Sequence, residues 1–178
     1  MRRIALLLIT LLFVSALSAP SAMAASPHFK KGGEPTCTIS GSGASQTVNC
    51  TSTLAGLGNE DVRVVQTVSG TAVYQCQNQG GNTAPGQNKV LVGPQTTPVI
   101  FPASAIKNGN LTVSVTSTLT APATVTGAEA GCPNPNWTGV NPVLTITDIS
   151  FVIEQPVGTP IFTCSASDPL SSPVRLTC

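Results

Sequence analysis

From residue 25 onward, hydrophobic positions recur with a period of two and almost never with the period of a helix. Leu111, Val113 and Val115 alternate with Thr112, Ser114 and Thr116, the pattern of a strand with one buried and one solvated face. Val62 and Val64 flank Arg63, and Val73 stands between Ala72 and Tyr74 ahead of Cys76. Val48, Cys50 and Leu54 share one parity around Ser52, and Val174, Leu176 and Cys178 make a last short strand. Leu144 and Ile146 are in one apolar phase, whereas Ile149, Phe151 and Ile153 are in the other. A strand cannot change its buried face without an extra residue. A bulge, or a bend carrying the strand from one layer to another, is therefore expected at Thr147-Asp148.

Turn chemistry separates these segments. Gly80-Gly81-Asn82, Ala84-Pro85-Gly86-Gln87-Asn88, Asn108-Gly109, Pro133-Asn134-Pro135-Asn136 and Asp168-Pro169 all read as breakers. With 15 Pro and 16 Gly, long helices have nowhere to form, and a single helical turn at 103–106 is the most expected. The pattern predicts an all-β chain folded as an Ig-like β-sandwich stapled by disulfides, with a small β-barrel as the alternative.

The first residues follow a different logic. Met1-Arg2-Arg3 is basic, Ile4 to Val14 is apolar apart from Thr10, and Ala22-Met23-Ala24 has the small-x-small form of a cleavage site. Residues 1–24 therefore read as a signal peptide cleaved after Ala24, too short in its apolar run to span a bilayer. The expected organisation is a mobile lead-in over 25–35, then one β-sandwich domain over 36–178. The product is expected outside the cell, with no membrane insertion of the mature chain.

Charge narrows the partners. Only 8% of residues are charged while 41% are hydrophobic, and loss of Arg2 and Arg3 turns the net charge from +1 to −1. Without clustered Lys and Arg, there is no footprint for nucleic acid or for anionic lipid. The polar surface must come from Ser, Thr, Asn and Gln.

The cysteines are Cys37, Cys50, Cys76, Cys132, Cys164 and Cys178. An even number in an exported chain reads as disulfides. Zinc needs ligand pairs at short spacing, and these cysteines are widely spaced with His28 the sole histidine. Thr36-Cys37-Thr38 reaching Cys50, and Thr163-Cys164-Ser165 reaching Cys178, both look like hairpins closed by a cross-strand bridge. Those two pairs leave Cys76 with Cys132, one scheme among 15.

Candidate chemistry is sparse. Glycosidase action needs two carboxylates facing each other across a cleft, but Glu60 and Asp61 are adjacent and would point to opposite faces of a strand. A Ser-His-Asp triad would have to recruit His28 from the lead-in. Asn59-Glu60-Asp61 offers oxygen atoms without the alternating acidic pattern of a calcium loop. The chain reads as a non-enzyme that needs no cofactor. Sequons fall at Asn49, Asn110 and Asn136, and matter only in a glycosylating host.

Two segments stand apart: Tyr74-Gln75-Cys76 through Gly80-Gly81-Asn82 to Pro85-Gly86-Gln87-Asn88-Lys89, and Gly131-Cys132-Pro133-Asn134-Pro135-Asn136-Trp137-Thr138. With Ala55-Gly56-Leu57-Gly58-Asn59-Glu60-Asp61, they resemble a group of small secreted bacterial proteins without an assigned function. The resemblance implies export, a β-rich fold and a Cys76–Cys132 bridge, and carries over no catalytic residue. Such a bridge would bring an 80–89 loop beside a 133–137 loop at one end of the sandwich. Asn82, Gln87, Asn88, Lys89, Asn134, Asn136 and Trp137 then form the candidate partner surface, suited to a neutral glycan or another extracellular protein's loop. The expected role is a secreted, non-catalytic structural or interaction module, envelope-associated, with a glycan-binding module or weak glycan-processing enzyme as the alternative. The shortage of aromatic residues, one Trp, one Tyr and five Phe, favours the first, because sugars pack their apolar faces on rings.

Overall fold

A computed structural model describes residues 26–168 and 170–178. The expected signal peptide and its cleavage site lie outside the described residues. Among the described residues, ten strands form two antiparallel sheets packed face to face as a β-sandwich, not a closed barrel. In the first sheet, β3 (Ser45–Ala55) pairs along one edge with β6 (Leu111–Thr120) and along the other with β2 (Thr36–Ser42) and β1 (His28–Phe29). β10 (Val174–Arg175) extends that sheet beyond β2. The second sheet is centred on β4 (Val62–Gln77), with β5 (Thr83–Phe101) on one side and β8 (Thr138–Glu154) on the other. β7 (Val125–Thr126) and β9 (Pro160–Ser167) pair with the far edge of β8.

The alternation read from sequence sets the core. Val62, Val64 and Val68 from β4 meet Val48, Leu54, Val113 and Val115 from the first sheet, and all are buried. Tyr74, Leu144, Ile149, Phe151 and Ile153 are large, fully buried side chains of the second sheet's inner face; truncating a residue like Phe151 to Ala costs about 3–5 kcal/mol. Gln66 is wholly buried in this apolar setting and donates through Nε2 to the Val48 carbonyl of the facing sheet at 3.1 Å. That bond links the two layers directly.

The phase change in β8 is a bulge. Ser69 faces Asp148 while Gly70 faces Ile146, so Thr147 is the extra residue that returns Ile149, Phe151 and Ile153 to the core. The strand does not switch layers, because β4 accompanies it from Thr138 to Glu154. Gly70 lets the two backbones close at this point: a Cβ there would lie 2.5 Å from the Thr145 carbonyl oxygen.

Two expectations are corrected. Pro85-Gly86-Gln87-Asn88, read as a turn, lies inside β5. β5 is an edge strand bonded to β4 alone, where Pro85, Pro94 and Pro98 leave no required donor unmade. Its register slips opposite Tyr74, leaving Gly86, Gln87 and Asn88 as a bulge. The lead-in is also part of the sandwich from His28 on. Lys30 N–H donates to the Thr53 carbonyl and Thr53 N–H to the Gly33 carbonyl, each at 2.9 Å, and the Phe29 ring packs 4.2 Å from that of Phe162. The expected helical turn appears as a 3-10 turn over Ala103–Ala105.

The disulfides are Cys37–Cys50, Cys76–Cys132 and Cys164–Cys178. Cys37 and Cys50 are direct cross-strand partners in β2 and β3. The C-terminal segment pairs with β2 through β10 and then, at Thr177, with Ser165 of β9 in the other sheet. Cys164–Cys178 fastens that crossing. None of the bridges joins a strand of one sheet to a strand of the other, unlike the core bridge of antibody domains.

Candidate functional site

The Cys76–Cys132 bridge connects the end of β4 to the segment between β7 and β8, at one end of the sandwich. That segment is built from local chemistry. Thr126 caps a one-turn helix, α1 (Gly127–Ala130), by accepting from Glu129 N–H at 3.2 Å, while the Glu129 carboxylate accepts from Thr126 N–H at 2.9 Å and from its hydroxyl at 2.7 Å. This reciprocal box stabilises a helix start. Gly131, in the left-handed region at φ 67°, ends the turn. Gly127 has no room for a side chain, since a Cβ would sit 2.4 Å from the Trp137 carbonyl oxygen. The chain therefore folds back tightly enough to set Trp137 over α1.

Asn134 shapes the last turn before β8. Its Oδ1 accepts from Asn136 N–H at 2.9 Å, and its carbonyl accepts from Trp137 N–H at 3.0 Å. Across from it, the β4–β5 turn is closed by Asn78, whose Oδ1 accepts from Asn82 N–H at 2.9 Å. Both carboxamide oxygens are committed to their turns, as asparagine in tight turns commonly is.

Trp137 is half-buried and packs against the core cluster. Two grooves flank it. The larger, about 630 Å³, is walled by Pro122, Val125, Thr126, Glu129, Pro135 and Thr138. The smaller, about 360 Å³, is lined by Asn78, Gln79, Gly80, Asn134 and Asn136. The walls carry amides, hydroxyls and prolines, and among the described residues Glu129 is the sole charge on them. Hydrogen bonds from Thr126 hold the Glu129 carboxyl below its ordinary range, so it persists as a carboxylate tied to the helix start. Beneath, Tyr74 donates from its hydroxyl to the Pro122 carbonyl at 2.9 Å. Burial, and then the Glu129 charge, push its phenol upward.

Of the expected surface, Asn134, Asn136 and Trp137 share the smaller groove, and Asn82 sits beside its Gly80 wall. Gln87, Asn88 and Lys89 do not line it, because they belong to β5 rather than to a loop. Asn88 donates through Nδ2 to the Ala128 and Glu129 carbonyls at 3.3 and 3.1 Å, holding α1 against the bulge. Lys89 is exposed opposite Val73, on the outer face of the second sheet. Sequence reasoning did not single out Asn78, Val125 or Pro135 for this surface. The pairing of Thr126 with Thr138, which brings β7 to β8, has no sequence signature strong enough to find it.

Elsewhere, Asp61 accepts from Ala103 N–H at 2.8 Å, and Gln155 donates to the Glu60 carbonyl at 2.9 Å. The 59–61 segment is thereby engaged in holding loops together. Of the sequon residues, Asn136 is exposed, whereas Asn49 and Asn110 donate through Nδ2 to protein acceptors. Fold and site together define a disulfide-stapled β-sandwich with a tryptophan-centred end. No protein-family model matches the chain, and no curated protein matches it either.

Proposed function

We propose that this chain is a secreted, envelope-associated, non-catalytic interaction module that holds a neutral polar partner, an extended loop of another extracellular protein, at its Trp137 end. The carrying observation is the half-buried Trp137 between two grooves whose walls are almost free of charge. A ring buried on one side and open on the other gives a rigid contact at small entropic cost, and such anchors dominate interfaces. The larger groove, with its prolines and hydroxyls, suits an extended polypeptide segment. Loops gathered at a sandwich end are where such domains present recognition surfaces.

A glycan at the same end is the second reading, favoured by the amides beside the ring in the smaller groove. Affinity capture from extracellular and envelope fractions with the mature protein tests the site. Trp137→Ala is expected to lose the captured partner while keeping the near-ultraviolet and thermal signatures of the fold. Undiminished capture by the folded variant sinks the site, and capture of a purified glycan in place of a protein moves the reading to the second.

A further inference from the structure

The outer faces of the two sheets differ in kind. On the second sheet, outward positions include Arg63, Val73, Lys89, Leu91, Val143 and Asp148, a mixture of charged and apolar residues. On the first, every second residue from Thr36 to Ser42 on β2, from Ser45 to Thr53 on β3, and from Thr112 to Thr120 on β6 points outward. Each of these residues is Ser, Thr or Asn. Three strands, two of them more than fifty residues apart in sequence, thus compose rows with no charge and no purely apolar side chain; Ala55 ends the β3 row with His28 of β1 beside it, and the exposed Arg175 of β10 flanks the β2 row opposite Thr36.

This face is ordered laterally. Ser45 and Thr120 share a hydroxyl–hydroxyl bond at 3.0 Å, Thr47 and Thr118 one at 3.1 Å, and Thr53 and Thr112 one at 3.3 Å. Between them, Asn49 donates to Thr116 at 2.7 Å and to Ser114 at 3.2 Å. Beneath, Cys37–Cys50 locks β2 to β3 in the register that aligns the rows. Strand geometry spaces the hydroxyls at about 4.8 Å across strands and about 6.8 Å along them, over a length of about 27 Å on β3. Each hydroxyl both donates and accepts.

We propose that this face is a docking surface for an insoluble neutral polysaccharide lying along the strands. The rows and the polymer are both neutral, with Arg175 confined to the β10 edge, and a polymer of repeating hydroxyls meets a repeating row of the same chemistry. The rows are held before binding, so little ordering cost remains. With no ring among the three rows, each sugar contributes weakly, and retention comes from many simultaneous contacts. Short oligosaccharides therefore compete poorly with the polymer. The proposal is independent of the Trp137 site.

The test uses the mature chain with microcrystalline cellulose and chitin, an anionic polysaccharide gel, and growing ice. Expected is retention on a neutral polymer, resistant to millimolar short oligosaccharide, with Trp137→Ala retained like the parent. Thr47→Lys with Thr118→Lys, which sets like charges opposite each other on the face, is expected to lower the retained fraction at least tenfold. Thr112→Lys, at a strand end, supplies a second variant should the double one fail to fold, with a smaller loss. Absence of retention on both neutral polymers, equal retention on the anionic gel, uptake into ice alone, or lysine variants that bind like the parent each overturn it.

Discussion

Replacing Cys76 and Cys132 together by Ala should destabilise this protein more than opening the Cys164–Cys178 pair in the same way. The bridges close loops with sequence separations of 56 and 14 residues. In the chain-entropy account, tethering the unfolded chain contributes about 4 kcal/mol for the long loop and about 3 kcal/mol for the short one. Burial does not separate the pairs strongly. Cys76 and Cys164 are fully buried, Cys132 is half-buried and Cys178 exposed, so the sulfur lost from the core adds about 1 kcal/mol to each. At about 2–4 °C per kcal/mol for a chain of this size, the long-loop variant should melt about 15 °C below the parent. The short-loop variant should melt about 3 °C above the long-loop one. Calorimetry under non-reducing conditions, with thiol titration to verify the remaining bridges, measures both. If the Cys164/Cys178 variant melts at or below the Cys76/Cys132 variant, loop length is not what ranks these bridges. The C-terminal crossing between sheets then carries more native-state stability than loop closure and sulfur burial account for.

Other outcomes follow from single contacts. Glu154 accepts from Arg63 at 2.7 and 3.0 Å and from Gly158 N–H at 2.7 Å, and these bonds, the Arg63 one foremost, hold its carboxyl below the ordinary range. Its stabilising effect is complete above the unfolded carboxylate's pKa of about 4.3 and is lost as pH falls through the lower folded value. Urea midpoints of Glu154→Gln should therefore fall less steeply below pH 4 than the parent's, and parallel curves would refute the assignment. Among the described residues no group partners the buried Oε1 of Gln66, alongside its bond to Val48, so Gln66→Met should lie within about 1 kcal/mol of the parent while Gln66→Ala costs about 3 kcal/mol. Chemical denaturation separates these, and equal losses would show that the inter-sheet bond outweighs shape. Secreted protein should begin at Ala25; N-terminal sequencing that finds Met1 sinks the export reading.

Much of the architecture is legible along the chain because side chains alternate along a strand wherever it is not bulged. The parity of Val113 and Val115, or of Val62 and Val64, names the buried face before any partner strand is known. The phase conflict between Ile146 and Ile149 likewise demands an extra residue, and Thr147 is that residue. Whether the strand would bulge or change layers depended on β4 running beside it throughout, a long-range fact with no local trace. Pro85 and Gly86 illustrate the same limit: their turn preference is real, but an unpaired strand edge tolerates both, so tertiary position overrode local chemistry. His28 and Phe29 carry no long alternating run, and enter the sheet because β3 and Phe162 are there to receive them.

The surfaces divide similarly. Trp137 and its neighbouring asparagines are conspicuous in sequence, yet which amides face the ring was set by the 78–82 turn, by Gly127 and by the β7–β8 pairing. Asn88, equally conspicuous, was drawn into capping α1 instead. The hydroxyl face is legible one strand at a time, as Thr-rich alternation in 111–120 or 36–42. Its continuity exists only where β2, β3 and β6 come into register, because neighbourhood across a sheet is decided by hydrogen-bonded pairing between segments that sequence keeps far apart.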